Sequence, residues 1–128
     1  MTRVSLDPNL PWWPVCAADA LEEGGSGHRF QAHLRGEAWP AFVVRVDGLV
    51  RSFLNRCAHV PVELDWNPGQ FLDDSGMVIF CATHGAAYDA TDGQCIGGPC
   101  GGRGLVVLAC REHEGQVEVQ AEAVEHES

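Results

Sequence analysis

The chain contains no lysine, and its eight basic residues are all arginines. A phosphate-cradling loop of the kind that pairs glycines with a lysine is therefore excluded. Eighteen acidic residues against those arginines leave a net charge of −10. A surface of that sign repels nucleic acid and anionic membranes, and it favours a partner with a basic docking face. Long apolar runs are also missing. The longest, residues 105–110, falls far short of the roughly 20 residues that a helix needs to cross a bilayer. Residues 1–8 lack the apolar stretch of a secretory leader, so a cytoplasmic location is expected. There is no internal repeat and no linker-like segment. The expectation is one domain over residues 1–128, with a core about 13–119 and a solvated acidic tail about 120–128.

Long helical periodicity is absent as well. Turn signals recur instead, at Asp47-Gly48, Asn67-Pro68-Gly69, Asp73-Asp74-Ser75-Gly76, Asp92-Gly93 and Glu114-Gly115. Between them lie short β-rich runs at 13–16, 28–34, 41–46, 49–54, 77–80, 105–109 and 116–119. Asp47-Gly48 between two such runs is a strong signal for a two-residue hairpin. Residues 17–23 have room for one helical turn. The pattern predicts an all-β fold, an antiparallel sandwich or small barrel. Two segments, 55–65 and 81–104, are rich in Gly, Pro, Cys and His and read as loops.

Those two segments carry the chemistry. Cys57-Ala58-His59 and Cys81-Ala82-Thr83-His84 each set a thiol beside an imidazole, with 21 residues between His59 and Cys81. Each follows a predicted strand, so two loop tips can meet and offer two sulfurs and two nitrogens. Tetrahedral S2N2 ligation suits zinc or an iron–sulfur centre. Zinc would make the chain a structural or sensory module. The alternative is a Rieske [2Fe-2S] centre, in which two His replace two Cys on one of the irons.

The sequence Cys81-Ala82-Thr83-His84-Gly85-Ala86-Ala87-Tyr88-Asp89, with Cys57-Ala58-His59 before it and Gly98-Pro99 after it, resembles the Rieske domain pattern. The likeness runs over roughly residues 13–119 and is strongest to small bacterial Rieske-type ferredoxins. It implies a cluster-binding subdomain made of two ligand loops and a Pro loop. Cys57 and Cys81 would bind one iron, and His59 and His84 the other. Gly85 would let backbone N–H groups approach the cluster, Tyr88 would donate to a ligand sulfur, and Pro99 would belong to the covering loop. The implied role is a one-electron carrier, not itself an enzyme, between a reductase and a terminal oxygenase. A small subunit of a nitrite-reductase-like enzyme is the second role the resemblance allows.

Departures from the pattern bear on the potential. The disulfide that ties the ligand loops in high-potential members would fall at Val62 and Thr83, and is absent. The serine donor position is Ala86, and Ala58 and Ala82 stand where prolines are usual. With fewer donors, a potential in the lower part of the range of about −150 to +300 mV is implied.

The remaining candidates read as structural. Cys95 and Cys100 are expected to be inert thiols in a glycine-rich loop, with a redox pair or replacement of a metal ligand as the alternatives. Cys16 and Cys110 sit in strand patterns as core residues. His28, His33, His113 and His126 lack cysteine neighbours and are not taken as ligands. Trp12 and Trp13 read as a plug over the sheet, and Pro61, Trp66 and Phe71 as an apolar shell beside the metal.

Overall fold

The computed structural model describes residues 9–57, 62–65, 69–81, 85–100 and 103–126. Among them lie strands β1 (Trp12–Ala17), β2 (His28–Leu34), β3 (Glu37–Val46), β4 (Leu49–Leu54), β5 (Val78–Phe80), β6 (Ala87–Asp89), β7 (Cys95–Gly97), β8 (Val107–Leu108), β9 (Cys110–His113), β10 (Gln116–Gln120) and β11 (Ala123–His126). They pair antiparallel into a five-stranded sheet of order β11-β2-β3-β4-β8 and two three-stranded sheets, β1-β10-β9 and β5-β6-β7. The all-β expectation holds. Residues 17–23 supply one 3-10 turn, Ala18–Ala20.

The hairpin signal is realised as read. Asp47 and Gly48 both take positive φ, 54° and 78°, the geometry that matches the twist of the flanking strands. The Glu23 carboxylate accepts from both turn N–H groups, at 2.7 Å from Asp47 and 2.6 Å from Gly48. The β2–β3 turn at Arg35 and Gly36 repeats the device: Glu122 accepts from both backbone N–H groups, at 2.9 and 3.1 Å. Each carboxylate satisfies two donors that a two-residue loop leaves over.

The strand β3 explains the layering. Side chains alternate faces along a strand. Phe42, Val44 and Val46 enter one core, whereas Ala41 and Val43 enter another. On β4, Phe53 and Leu54 divide in the same way. The middle of β3 and the end of β4 are thus buried on both faces. One face packs on the β1-β10-β9 sheet through Phe30, Ala32, Val15, Val117 and Val119. The other packs on the β5-β6-β7 sheet and the loops around it, through Ile79, Tyr88, Leu64 and Phe71. Phe71 stacks on Phe42 with ring centroids 3.7 Å apart, and Phe53 lies 5.8 Å from Phe42 on its other contact.

Three expectations are corrected. Residues 81–104 are not all loop, because β6 and β7 lie inside them. The acidic end is not a tail from residue 120: Ala123–His126 pairs with β2 as an edge strand, and Glu122 caps the Arg35 turn. The run 105–109 contributes only Val107–Leu108, with β9 following it. Trp13 does plug the sheet as expected, donating from Nε1 to the Ala121 carbonyl at 2.9 Å.

Replacing Phe71 by Ala leaves the Phe42 face uncovered and is expected to lower stability by about 3–5 kcal/mol. Urea denaturation measures this, and a loss under about 1 kcal/mol would contradict the stacked packing.

Candidate metal centre

The first candidate loop leaves β4 at Asn55. The backbone is fixed at once: the Asn55 N–H donates to the Pro40 carbonyl at 2.7 Å, and the Cys57 N–H donates to the Val62 carbonyl at 2.8 Å. The Asn55 side chain reaches across to the returning strand of the loop. Its Oδ1 accepts from the Leu64 N–H at 2.8 Å, and its Nδ2 donates to Asp65 Oδ1 at 2.9 Å. Asp65 is the anchor. Its carboxylate is fully buried, and Oδ2 accepts from the Gly69 N–H at 2.8 Å and from Arg29 Nη1 at 2.9 Å. Arg29 also pairs with Glu63 at 2.8 Å, so the loop base is tied to β2. A buried charge is tolerated when it is paired and hydrogen-bonded on all sides, as here.

The second loop is the tip of the β5–β6 hairpin. The Cys81 N–H donates to the Ala86 carbonyl at 2.8 Å, and the Gly85 N–H donates back to the Cys81 carbonyl at 2.9 Å. Gly85 has φ +75°. The sequence resemblance gives Gly85 the role of bringing N–H groups toward the cluster. Its own N–H is taken by the Cys81 carbonyl, and its positive φ is a left-handed conformation that glycine adopts freely.

Cys57 and Cys81 are both buried, in one apolar cluster with Tyr88, Ala86, Leu64 and Cys100. Tyr88 lies on β6, and its hydroxyl is 3.4 Å from Cys57 Sγ. The phenol thus links the second hairpin to the first loop through the sulfur of a candidate ligand. His59 and His84, the other two candidate ligands, lie outside the described residues, as do Pro61 and Trp66. Pro99 is exposed in the turn after β7. The covering loop sits directly on the second loop: a Cβ on Gly98, which has φ +77°, would stand 2.5 Å from the Gly85 carbonyl oxygen and 2.8 Å from Ala86 Cα. Only glycine permits that approach.

The donor set suits a sulfur-bound metal group. Two cysteines are buried in the same apolar cluster, and one of them has a hydroxyl at hydrogen-bond distance, able to donate once the sulfur is a thiolate. The other cysteines do not compete. Burial pushes the Cys16 thiol up to about 11, against a smaller opposing pull from Arg45. Burial pushes Cys110 up to about 12, again opposed weakly, by Arg51. Both therefore stay protonated near neutral pH.

One expectation fails here. Cys95 and Cys100 are not separate thiols but are joined by a disulfide. Sequence spacing did not reveal this, since bridging depends on the 6.0 Å between their Cα atoms, a tertiary quantity. The anchors Arg29, Asn55 and Asp65 also went unnoticed. Two polar residues flanking a Cys-x-His loop were the available signal.

Comparison with known proteins bears on the same residues. The model of the Rieske [2Fe-2S] domain family matches residues 11–110. No curated protein matches the chain. Among solved structures, the chain is similar to one from the complex of reduced oxygenase and oxidized ferredoxin in carbazole 1,9a-dioxygenase, at 31% identity and TM-score 0.69, covering 93% of this chain and 100% of that one. It is also similar in fold to the terminal oxygenase of carbazole 1,9a-dioxygenase from Nocardioides aromaticivorans IC177, at 23% identity and TM-score 0.67, covering 91% of this chain but 32% of that one. The corresponding oxygenase from Novosphingobium sp. KA1 gives 23% identity, TM-score 0.67 and coverage of 91% and 31%. The chain spans about a third of those two oxygenase chains.

Replacing Asp65 by Ala strands the Arg29 guanidinium and the Asn55 amide. The expected loss is about 3 kcal/mol, measured by denaturation of the folded protein. A variant as stable as the parent would show that the buried carboxylate does not hold the loop base.

Proposed function

The chain belongs to the Rieske [2Fe-2S] domain family, and on that premise we propose that it is an electron-transfer protein, the ferredoxin component of an oxygenase or related reductase system. The observation that carries this reading is the pair of buried thiols, Cys57 and Cys81, in one apolar cluster with the Tyr88 hydroxyl 3.4 Å from the Cys57 sulfur. Its support from comparison is the family match over residues 11–110 and the 31% identity over the full length of a chain in the oxygenase–ferredoxin complex.

Cys57 and Cys81 would hold one iron as thiolates, and His59 and His84 the other through neutral imidazole nitrogens. Bound there, the cluster supplies a one-electron change of state. The protein's share is positional. The Asp65 network fixes the first loop, the Cys81–Ala86 hydrogen bond fixes the second, and Gly98 lets the covering loop close on it. Apolar packing around the sulfurs keeps water away, and Tyr88 donates to charge that builds on Cys57 sulfur. No substrate is turned over; the chain carries an electron and is not itself an enzyme. We place it in the cytoplasm as a single domain. Among the described residues no helix is long and apolar enough to cross a membrane. A net charge of −10 suits encounter with a basic face on the reductase and on the terminal oxygenase.

Iron and sulfide analysis with electron paramagnetic resonance of the dithionite-reduced protein tests this directly. The expected spectrum is rhombic with a low average g. A colourless protein with stoichiometric zinc would end the electron-carrier reading. His84→Cys should keep a cluster whose potential falls toward the value of about −400 mV of plant-type ferredoxins. An unchanged potential would remove His84 from the ligand set. Tyr88→Phe removes one donor to sulfur, about 1 kcal/mol, and should lower the potential by about 40 mV on the one-electron scale. Protein-film voltammetry at fixed pH reads that shift, and no change would remove Tyr88 from the tuning of the cluster.

A further inference from the structure

A second sulfur pair lies beside the candidate ligands. Cys95 sits on β7 and Cys100 follows it by five residues, bonded to it. The bridge closes a short loop, Ile96-Gly97-Gly98-Pro99, in which Ile96 is 56% exposed and Gly98 and Pro99 also face solvent. The two cysteines differ in exposure, since Cys95 is partly exposed and Cys100 is fully buried. This is the same loop that presses on Gly85 and Ala86 through Gly98.

We propose that Cys95 and Cys100 form a second redox site, a reversible dithiol/disulfide couple that exchanges electrons with a dithiol reductant and sets how firmly the third loop covers the second ligand loop. Acceptors for both thiol protons are already in place. Cys100 Sγ lies 3.2 Å from the Gly97 carbonyl oxygen and 3.7 Å from that of Ala87, and Cys95 Sγ lies 3.8 Å from Gly97 O. Carbonyl oxygens thus stand beside both sulfurs where the S–H groups would form.

The exchange follows from the difference in exposure. A thiolate of the reductant attacks Cys95 Sγ. The Cys95–Cys100 bond breaks, a mixed disulfide forms at Cys95, and Cys100 leaves as a thiolate that takes up a proton. The reductant's second thiolate then attacks its own sulfur in the mixed disulfide. Cys95 is released and protonated, and the reductant departs as a disulfide. Two electrons and two protons have passed to the chain. A centre that carries one electron does not deliver that pair in one encounter, which is why the partner for this site is a dithiol. With the bridge open, the four residues between the cysteines lose their covalent closure, and the cover over Gly85 and Ala86 loosens.

The thiol chemistry stands whatever group Cys57 and Cys81 hold; the effect on the cover rests on the cluster reading. Two readouts on the cluster-loaded protein keep them apart. In the first, the protein is equilibrated with graded ratios of reduced to oxidised dithiothreitol, then alkylated in the folded state and mapped by mass spectrometry. Cys95 and Cys100 should gain label together, with one midpoint, and lose it when the oxidised form is restored. Thiols that never re-form the bridge, or a bridge that resists excess dithiol in the folded protein, overturn the proposal. In the second, iron release to a ferrous chelator is timed with the bridge closed, with it opened, and in Cys95→Ser/Cys100→Ser. Opening and the double variant should each speed release by about tenfold, while freshly prepared variant keeps full iron. Equal release in the closed and opened wild-type protein overturns the control of the cover, even if the variant does not fold.

Discussion

The architecture depends on a β-sheet whose centre, along β3 and the end of β4, is buried on both faces. Along β3 the alternation of side chains sends Phe42, Val44 and Val46 one way and Ala41 and Val43 the other. One face makes the supporting sandwich with β1, β9 and β10. The other is the floor on which the β5-β6-β7 sheet and two cysteine loops settle. An uncovered second face would be a large apolar patch in a chain this small. Cys57 and Cys81 are thus part of the core, in one apolar cluster with Phe42, Phe53 and Phe71.

Loops without regular structure need their polar backbone satisfied, and the chain does this locally. Asn55 and Asp65 close the base of the first loop, and Arg29 extends the closure to β2. The second loop closes itself with two backbone hydrogen bonds around Cys81. Tyr88 then joins the two loops at a sulfur atom. The described ends of both loops are thus held by hydrogen bonds, a local rigidity that limits reorganisation when charge changes nearby. A site for one-electron transfer benefits from that rigidity.

The covering loop is built differently. It is held by a covalent bridge and by a glycine fitted against Gly85, while most of its residues face solvent. Its two cysteines differ from each other: Cys100 is buried in the same apolar cluster as Cys57 and Cys81, and Cys95 is partly exposed beside it. Cys57 and Cys81 are enclosed, and Cys95 is reachable from outside. Family likeness says nothing of that bridge, because the pattern concerns the ligand positions and the Gly-Pro turn.

Sequence alone determined what is local. Strands His28–Leu34 and Leu49–Leu54 were legible to the residue, because their alternation and the Asp47-Gly48 turn are properties of neighbouring residues. The Cys-x-His and Cys-x-x-His spacings named the candidate ligands for the same reason. Tertiary structure decided the rest. The strands Ala87–Asp89 and Cys95–Gly97 are three residues each in glycine-rich surroundings, and they are strands because β5 pairs with the first and the first pairs with the second. Ala123–His126 is acidic and looked like a tail until β2 offered it an edge. The Asp65 anchor and the Cys95–Cys100 bridge depend on distances across space. Pairing energy between residues remote in sequence leaves no periodic trace in the sequence itself, and so only the folded chain could reveal it.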